Sequence, residues 1–92
     1  MSAARSAGTQ AAPMAINAMF VGDIVTQLVF VLESDTIAQL AEKVAEHSVG
    51  IRVPQRDVPM VVYFDGAALP MSETVAGAGI RALQCVTVRY VD

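Results

Sequence analysis

Only one long stretch of this chain, residues 35–47, has the residue spacing of an amphipathic helix. Its apolar residues would form one stripe along the helix surface: Ile37, Leu40, Ala41 and Val44. The other regular segments are rich in branched and aromatic residues, which favour β-strands. Because one helix of about three turns covers only one face of a sheet, we expect an α+β fold with a second sheet face left uncovered by helix.

Both ends of this helix carry sequence signals. Ser34 or Asp35 is suited to cap the first turn by accepting backbone N–H groups, and Thr36 with Gln39 offers an alternative capping box. His47 lies where the apolar pattern stops, and a histidine in the last turn suits the negative end of the helix dipole. We therefore expect the helix to end near His47.

Strand-like runs lie on both sides of the helix. Residues 15–20 and 24–32 flank a turn at Gly22 and Asp23, so the two runs predict a hairpin. The later predicted elements are a strand at residues 60–64, a short edge strand near Ala68 and Leu69, one helical turn within residues 72–80, and a closing strand at residues 85–91. This order predicts a mixed sheet of about four or five strands with one main helix on one face, the β-grasp arrangement of ubiquitin-like domains.

Length and composition favour one small globular domain. The chain has 92 residues, of which 54% are hydrophobic, enough for a thin core. We expect residues 1–14 to be a flexible tail, since they are rich in Ala, Ser and Gly, and residues 15–92 to form a single β-grasp domain. The tail lacks the apolar region of a secretory signal, and no apolar run approaches the roughly 20 residues of a membrane span. A cytoplasmic location without a membrane segment is therefore expected.

Charge and cysteine content exclude several classes of function. A net charge of -3 with only six Lys and Arg residues argues against a nucleic-acid partner. The single cysteine, Cys85, excludes an internal disulfide, a four-cysteine zinc site and the two-iron cluster of a β-grasp ferredoxin. Because Cys85 begins an apolar strand, we expect it to be a buried structural thiol.

The single histidine, His47, is the natural candidate for a metal ligand or catalytic base. Helix-borne metal sites place their ligands three or four residues apart on one face. Lys43 and Val44 occupy those two positions before His47, so the spacing fails. We predict no catalytic, cofactor-binding or metal-binding residue in this chain.

Two of the predicted strands, residues 24–32 and 60–64, are apolar on both faces. A sheet with one solvated face should instead alternate apolar and polar residues. The face that the helix leaves uncovered is then covered either by the chain's own loops or by another protein, and we favour the protein, because large exposed apolar patches mark interaction sites. The residues that we expect at this partner interface are Met14, Ile16, Phe20, Arg52, Arg56 and Tyr63.

Residues 23–53 resemble the small γ subunit of the hydroxylase in bacterial soluble multicomponent diiron monooxygenases of the toluene, alkene and isoprene type. The features that carry the resemblance are Gln27-Leu28-Val29 in the strand, Asp35 at the start of the helix, residues 41–45 with His47 at the helix end, and Arg52-Val53. Thr74-Val75-Ala76 with Gly79 is similar to a later turn of the same subunit. The resemblance extends over about residues 16–91.

The resemblance implies a ubiquitin-like fold and a non-catalytic subunit that packs on the α subunit of an (αβγ)2 hydroxylase. It places the diiron centre in α, and implies that a reductase and a Rieske ferredoxin supply electrons while an effector protein tunes turnover. The implied reaction is O2-dependent hydroxylation of an aromatic ring or epoxidation of an alkene. Residues 63–71 are less polar than the basic loop of aromatic-oxidising members, which favours alkene or isoprene oxidation.

Two alternatives belong to other functional classes. A ubiquitin-like modifier or sulfur carrier needs a C-terminal Gly-Gly, whereas this sequence ends in Tyr90-Val91-Asp92, so we do not expect that role. A stand-alone ubiquitin-like module would bind a partner outside any oxygenase.

A small independent enzyme built on His47 and Cys85 would lose its activity on substitution of His47. We expect instead that His47→Ala costs only about 0.3–1 kcal/mol of unfolding free energy, through the lost interaction with the helix dipole. Urea denaturation of the variant and the parent chain measures this difference. A loss of oxidation activity in the isolated chain would contradict the non-catalytic interpretation.

Overall fold

A computed structural model describes residues 13–91 of the chain, and within that range it contains one helix and a five-stranded mixed sheet. The elements are β1 (Pro13–Phe20), β2 (Gln27–Leu32), α1 (Ile37–Glu46), β3 (Met60–Phe64), β4 (Ala67–Ala68) and β5 (Cys85–Tyr90). The sheet order is β2-β1-β5-β3-β4, in which β1 and β5 are parallel and the other neighbours are antiparallel. The predicted α+β class is confirmed. No helix in this part of the chain combines the length and apolar character needed to cross a bilayer.

The first hairpin differs from the prediction at its edges. β1 begins at Pro13, so Pro13 and Met14 of the predicted tail belong to the sheet, and the rest of that tail, residues 1–12, lies outside the described residues. β2 begins at Gln27 rather than at Ile24. Residues 24–26 stay outside the strand, where the N–H of Ile24 donates to the carboxylate of Asp23 instead of to a neighbouring strand.

The predicted helical turn within residues 72–80 is a series of turns in the structure. Two of its backbone donors bond outward: the N–H of Val75 donates to the carbonyl of Asp35 at 2.8 Å, and that of Ala76 donates to the carbonyl of Glu33 at 3.0 Å. These two bonds hold the segment against the start of α1, while the N–H of Ala78 donates to the carbonyl of Thr74 at 2.9 Å and closes one turn within the segment.

The N-terminus of α1 is capped by Thr36. Its Oγ1 accepts the N–H of Gln39 at 3.2 Å, and Gln39 Oε1 accepts the N–H of Thr36 at 2.8 Å, which completes a capping box. Asp35 has a different role, because its carboxylate accepts the N–H of Leu32 and pairs with Lys43. Burial alone would raise the pKa of Asp35, but the bonds from Leu32 and Lys43 outweigh it and hold that pKa below its ordinary value.

The core lies between α1 and the sheet face that it covers. The apolar stripe of the helix is buried as predicted, and strand alternation supplies the other side of the core from Ile16, Ala18, Phe20, Val29, Val31, Val62, Val86 and Val88. Ile16 and Phe20 were expected at the partner interface, and this expectation is wrong for both. They are 0% and 1% exposed because their parity in β1 directs them into the core.

Substitution at the start of α1 separates two of the three candidates for the helix cap, Thr36 and Ser34. Thr36→Ala should lower the unfolding free energy by about 1 kcal/mol, because the N–H of Gln39 loses its acceptor. Ser34→Ala should be close to neutral, since Ser34 is exposed and does not cap the helix. Urea denaturation of both variants checks the assignment, and an equal loss in the two would show it to be wrong.

Candidate partner-binding surface

The sheet face opposite α1 exposes large apolar side chains. On β2, Leu28 and Phe30 are 52% and 61% exposed, whereas Val29, between them on the other face, is 1% exposed. On β1, Met19 points to the same side and is 38% exposed. The apolar pattern on both faces of this strand therefore corresponds to one buried face and one face open to solvent.

Strand pairing arranges this surface in rows. We call it the outer face, and alternation assigns to it Ala15, Asn17, Met19, Leu28, Phe30, Val61, Tyr63, Cys85, Thr87 and Arg89. Phe30 lies opposite Ala15 and Leu28 lies opposite Asn17, so the two large side chains stand beside smaller ones. On the middle strand β5 the face becomes polar and carries Arg89, and Val61 and Tyr63 of β3 lie beyond it. The outer face thus has an apolar side on β2 and a polar strip with a positive charge on β5.

Cys85 lies on this outer face and is exposed, so the expectation of a buried thiol is wrong. The alternation of β5 buries Val86 and Val88, which leaves the preceding residue on the opposite side. An apolar strand composition does not by itself decide which parity faces the core.

The loop between β1 and β2, residues 21–26, carries further exposed apolar side chains. Ile24 is 85% exposed and Val21 is 50% exposed. Ile51, in the segment after α1, is 66% exposed. Exposed apolar residues therefore also occur at this end of the molecule, outside the strands of the outer face.

A buried carboxylate joins these two segments. The side chain of Asp23 is 0% exposed and accepts four hydrogen bonds: from the N–H of Ile24 at 2.7 Å, Ser48 Oγ at 2.5 Å, Arg52 Nε at 2.6 Å and Arg52 Nη2 at 3.0 Å. We call this group the Asp23 latch. It fixes the hairpin loop to the segment that follows α1.

The latch also satisfies the end of the helix. The carbonyl of His47, the C-cap residue, accepts hydrogen bonds from Gln27 Nε2 and Arg52 Nη2, both at 2.8 Å. A cation at this position suits the negative end of the helix dipole. His47 thus ends the helix, as predicted, and no group of three or more His, Cys, Asp or Glu side chains within residues 13–91 is placed to hold a metal ion.

Hydrogen bonding keeps the Asp23 carboxyl of the latch deprotonated. The bond from Arg52, followed by the bond from Ser48, holds the pKa of the Asp23 carboxyl well below its usual range, although burial acts in the opposite direction. Asp23 in turn raises the pKa of Arg52. Both groups are therefore charged at neutral pH and neutralise each other.

The remaining predicted interface residues lie in separate places. Met14 is half-buried and packs against the core, while Tyr63 is half-buried on the outer face. Arg52 belongs to the latch, and the guanidinium of Arg56 lies 5.8 Å from the centre of the Tyr90 ring. The prediction that these residues contact a partner stays untested.

Sequence reasoning missed Leu28 and Phe30 as candidate interface residues. Their signal was present, since both lie in the run whose two faces are apolar. Only the structure shows which alternate residues of that run point into the core.

A groove meets the polar strip of the outer face at Arg89. It has a volume of about 400 Å³, and its lining residues are Val21, Val53, Pro54, Arg56, Arg89 and Tyr90. The ring of Tyr90 is held edge-on against Phe20, with 5.1 Å between ring centres.

The sequence model of the family described as Toluene-4-monooxygenase system protein B (TmoB) matches residues 13–90. The chain belongs to the TmoB family. The γ subunit of the toluene-4-monooxygenase hydroxylase of Ectopseudomonas mendocina is 35% identical over 79 residues, which cover 84% of this chain and 94% of that relative. The γ subunit of the alkene monooxygenase oxygenase component of Xanthobacter autotrophicus is 66% identical over 35 residues, which cover 38% of this chain and 40% of that relative.

Solved structures agree with the family assignment. A chain of a toluene 4-monooxygenase complex with the inhibitor 4-bromobenzoate superposes with a TM-score of 0.82 at 32% identity, over 87% of this chain and all of the other. A ubiquitin of Caldiarchaeum subterraneum gives a TM-score of 0.66 at 18% identity, over 88% of this chain and 96% of that one. The second likeness shows the fold alone. The predicted β-grasp fold and the predicted resemblance to monooxygenase γ subunits are confirmed.

The Asp23 latch predicts how stability depends on pH. Because the pKa of Asp23 is lower in the folded chain than in the unfolded one, its stabilising effect is complete above about pH 4, the range of an ordinary carboxyl, and is lost as the pH falls towards the lowered value. Asp23→Asn should therefore melt several degrees lower than the parent chain at neutral pH. The difference between the melting temperatures of the variant and the parent chain should become smaller in acid.

Thermal melts followed by circular dichroism from neutral pH into acid measure this difference. Asp35 is present in both chains, so its own titration cancels in the comparison. A difference in melting temperature that stays constant throughout the acid range would contradict the assignment of the buried charge to Asp23.

Proposed function

We propose that this TmoB-family chain is a non-catalytic γ subunit that packs on the large α subunit of an (αβγ)2 hydroxylase through its outer face. The observation that carries the proposal is the exposure of Phe30 and Leu28 on one side of a strand whose other side is almost completely buried. Neighbouring apolar side chains of this size are costly to leave in water and mark interaction surfaces in soluble proteins.

The relatives support a partner within an oxygenase. Both curated relatives are named as γ subunits, one of a hydroxylase component and one of an oxygenase component. One structural match is a chain of a toluene 4-monooxygenase complex. A stand-alone ubiquitin-like module is therefore not favoured.

The role that we propose for this chain is assembly, with the oxidation chemistry in the α subunit. The described residues contain no cluster of metal-ligating side chains, and the exposed thiol of Cys85 and the ring of His47 belong to different segments. In this proposal a diiron centre in α activates O2, and a reductase and a Rieske ferredoxin deliver electrons under the control of an effector protein. The whole assembly would work in the cytoplasm.

The proposed substrate class is a small hydrocarbon. Alkene or isoprene epoxidation is favoured over aromatic hydroxylation, since residues 63–71 carry no basic side chain. The substrate pocket itself would lie in the α subunit, so these residues act on substrate choice only through the subunits that they touch.

A charged substitution on the outer face tests the docking surface. Phe30→Asp places a carboxylate on the apolar side of the proposed contact and should remove most of the γ subunit from the hydroxylase when the full chain is co-expressed with the α and β subunits. The isolated variant should melt within a few degrees of the parent, because Phe30 is 61% exposed. Gel filtration with subunit quantification measures the γ content.

Ile51→Asp is the matched control. Ile51 is 66% exposed and lies in the segment after α1, outside the strands that form the outer face. This variant should be incorporated at the parent level. Full incorporation of Phe30→Asp would show that the outer face does not dock on the hydroxylase.

A further inference from the structure

The groove at the edge of the outer face carries a concentration of positive charge that the chain's overall composition does not suggest. The chain has a net charge of -3. Two arginines, Arg56 and Arg89, line the groove, and no acidic side chain is among the described residues that line it. We call it the arginine groove.

Both arginines of the groove are positioned by Tyr90. The guanidinium of Arg56 lies over the Tyr90 ring, and Nε of Arg89 donates to the Tyr90 carbonyl at 3.3 Å. The ring itself is fixed against Phe20 in the core. The groove thus combines a rigid aromatic wall with two planar guanidinium groups, a composition enriched at the centres of protein interfaces.

The opposite wall of the groove is held by the Asp23 latch. Val21 precedes the latch aspartate in the hairpin loop, and Val53 follows the latch arginine. The two segments are in close packing, since a Cβ placed on Gly22 would lie 3.9 Å from the methyl groups of Val53. The N–H of Val21 also donates to the carbonyl of Val88 at 2.8 Å. Because these bonds fix the walls in the isolated chain, little ordering would be needed when a ligand enters.

We propose that the arginine groove receives an aromatic or aliphatic side chain of the α subunit that is flanked by a carboxylate. The apolar side chain would lie between Val21, Val53 and the Tyr90 ring, and the carboxylate would accept hydrogen bonds from Arg89, with the positive charge of Arg56 nearby. A guanidinium fork matches a carboxylate in geometry as well as in charge. This inference rests on the proposed function, because it takes α as the occupant.

Continuity with the outer face favours α over an unrelated ligand. Arg89 belongs both to the groove and to the polar strip of the outer face. One partner surface would therefore cover Phe30 and Leu28 with apolar contacts and reach the groove with an acidic anchor. The apolar contacts would supply most of the affinity, and the charge pair would fix the orientation of the subunit.

A competition experiment tests the acidic anchor. The parent chain and a variant, distinguished by intact mass, are co-expressed at full length with the α and β subunits, and the ratio of the two in the purified hydroxylase is measured. Arg89→Glu should be depleted about tenfold or more relative to the parent, because it sets like charges against each other. Arg56→Gln should be depleted less, since it removes one cation without adding repulsion.

Arg81→Glu is the matched control. It makes the same charge change at an exposed arginine of the loop before β5, outside the groove, and should compete almost equally with the parent. The purified hydroxylase is then washed at increasing NaCl concentration. Release of the parent chain should increase with salt, and that of Arg89→Glu should depend less on salt, because its charge pair is absent. Melts of the isolated variants confirm that each one folds.

The outcomes separate the groove from the proposed function. Equal incorporation of Arg89→Glu and Arg81→Glu would overturn the acidic anchor, and the outer-face proposal would stand if Phe30→Asp were still lost. Equal depletion of the two charge variants would show a general charge effect and would also overturn the anchor. Failure of the parent chain to enter the hydroxylase would overturn both proposals. Depletion confined to Arg89→Glu and Arg56→Gln would support the anchor.

Discussion

The single helix of the described residues covers only one face of the sheet, and the exposure of the other face follows from this. Packing of α1 buries Val29 of β2 to 1% exposure, while Phe30 on the other face of the same strand stays 61% exposed. A solvated sheet face normally carries polar residues, so an apolar outer face is a cost to the isolated subunit. Burial of that face in an assembly would remove the cost, which links the fold directly to the role of a γ subunit.

The Asp23 latch is the second constraint, and it fixes the position of the hairpin loop relative to the end of α1. A carboxylate without solvent exposure is stable only when its hydrogen-bonding capacity is filled, and here Ser48, Arg52 and one backbone N–H fill it. The same arginine satisfies the last carbonyl of α1. One ion pair therefore sets the position of the hairpin loop against the end of the helix, and with it the walls of the arginine groove.

Much of the fold was predictable because the signals for helix and hairpin are local. The choice of cap was not, since Ser34, Asp35 and Thr36 are all competent, and only the engagement of Asp35 with Leu32 and Lys43 leaves the cap to Thr36. Exposure of Cys85 and burial of Phe20 depend on strand parity, which an apolar run does not reveal. The latch joins residues that are 29 apart in sequence, Asp23 and Arg52, and no local pattern indicates such a pairing.

The most direct measurement of the central claim is hydroxyl-radical footprinting of the full chain, alone and within the purified hydroxylase. Oxidation rates are read for individual side chains by mass spectrometry. Phe30 and Leu28 should react readily in the isolated chain and become protected on assembly, while Ile51, which is 66% exposed and lies outside the outer face, should keep its rate. Unchanged oxidation of Phe30 and Leu28 in the assembled hydroxylase would contradict the account.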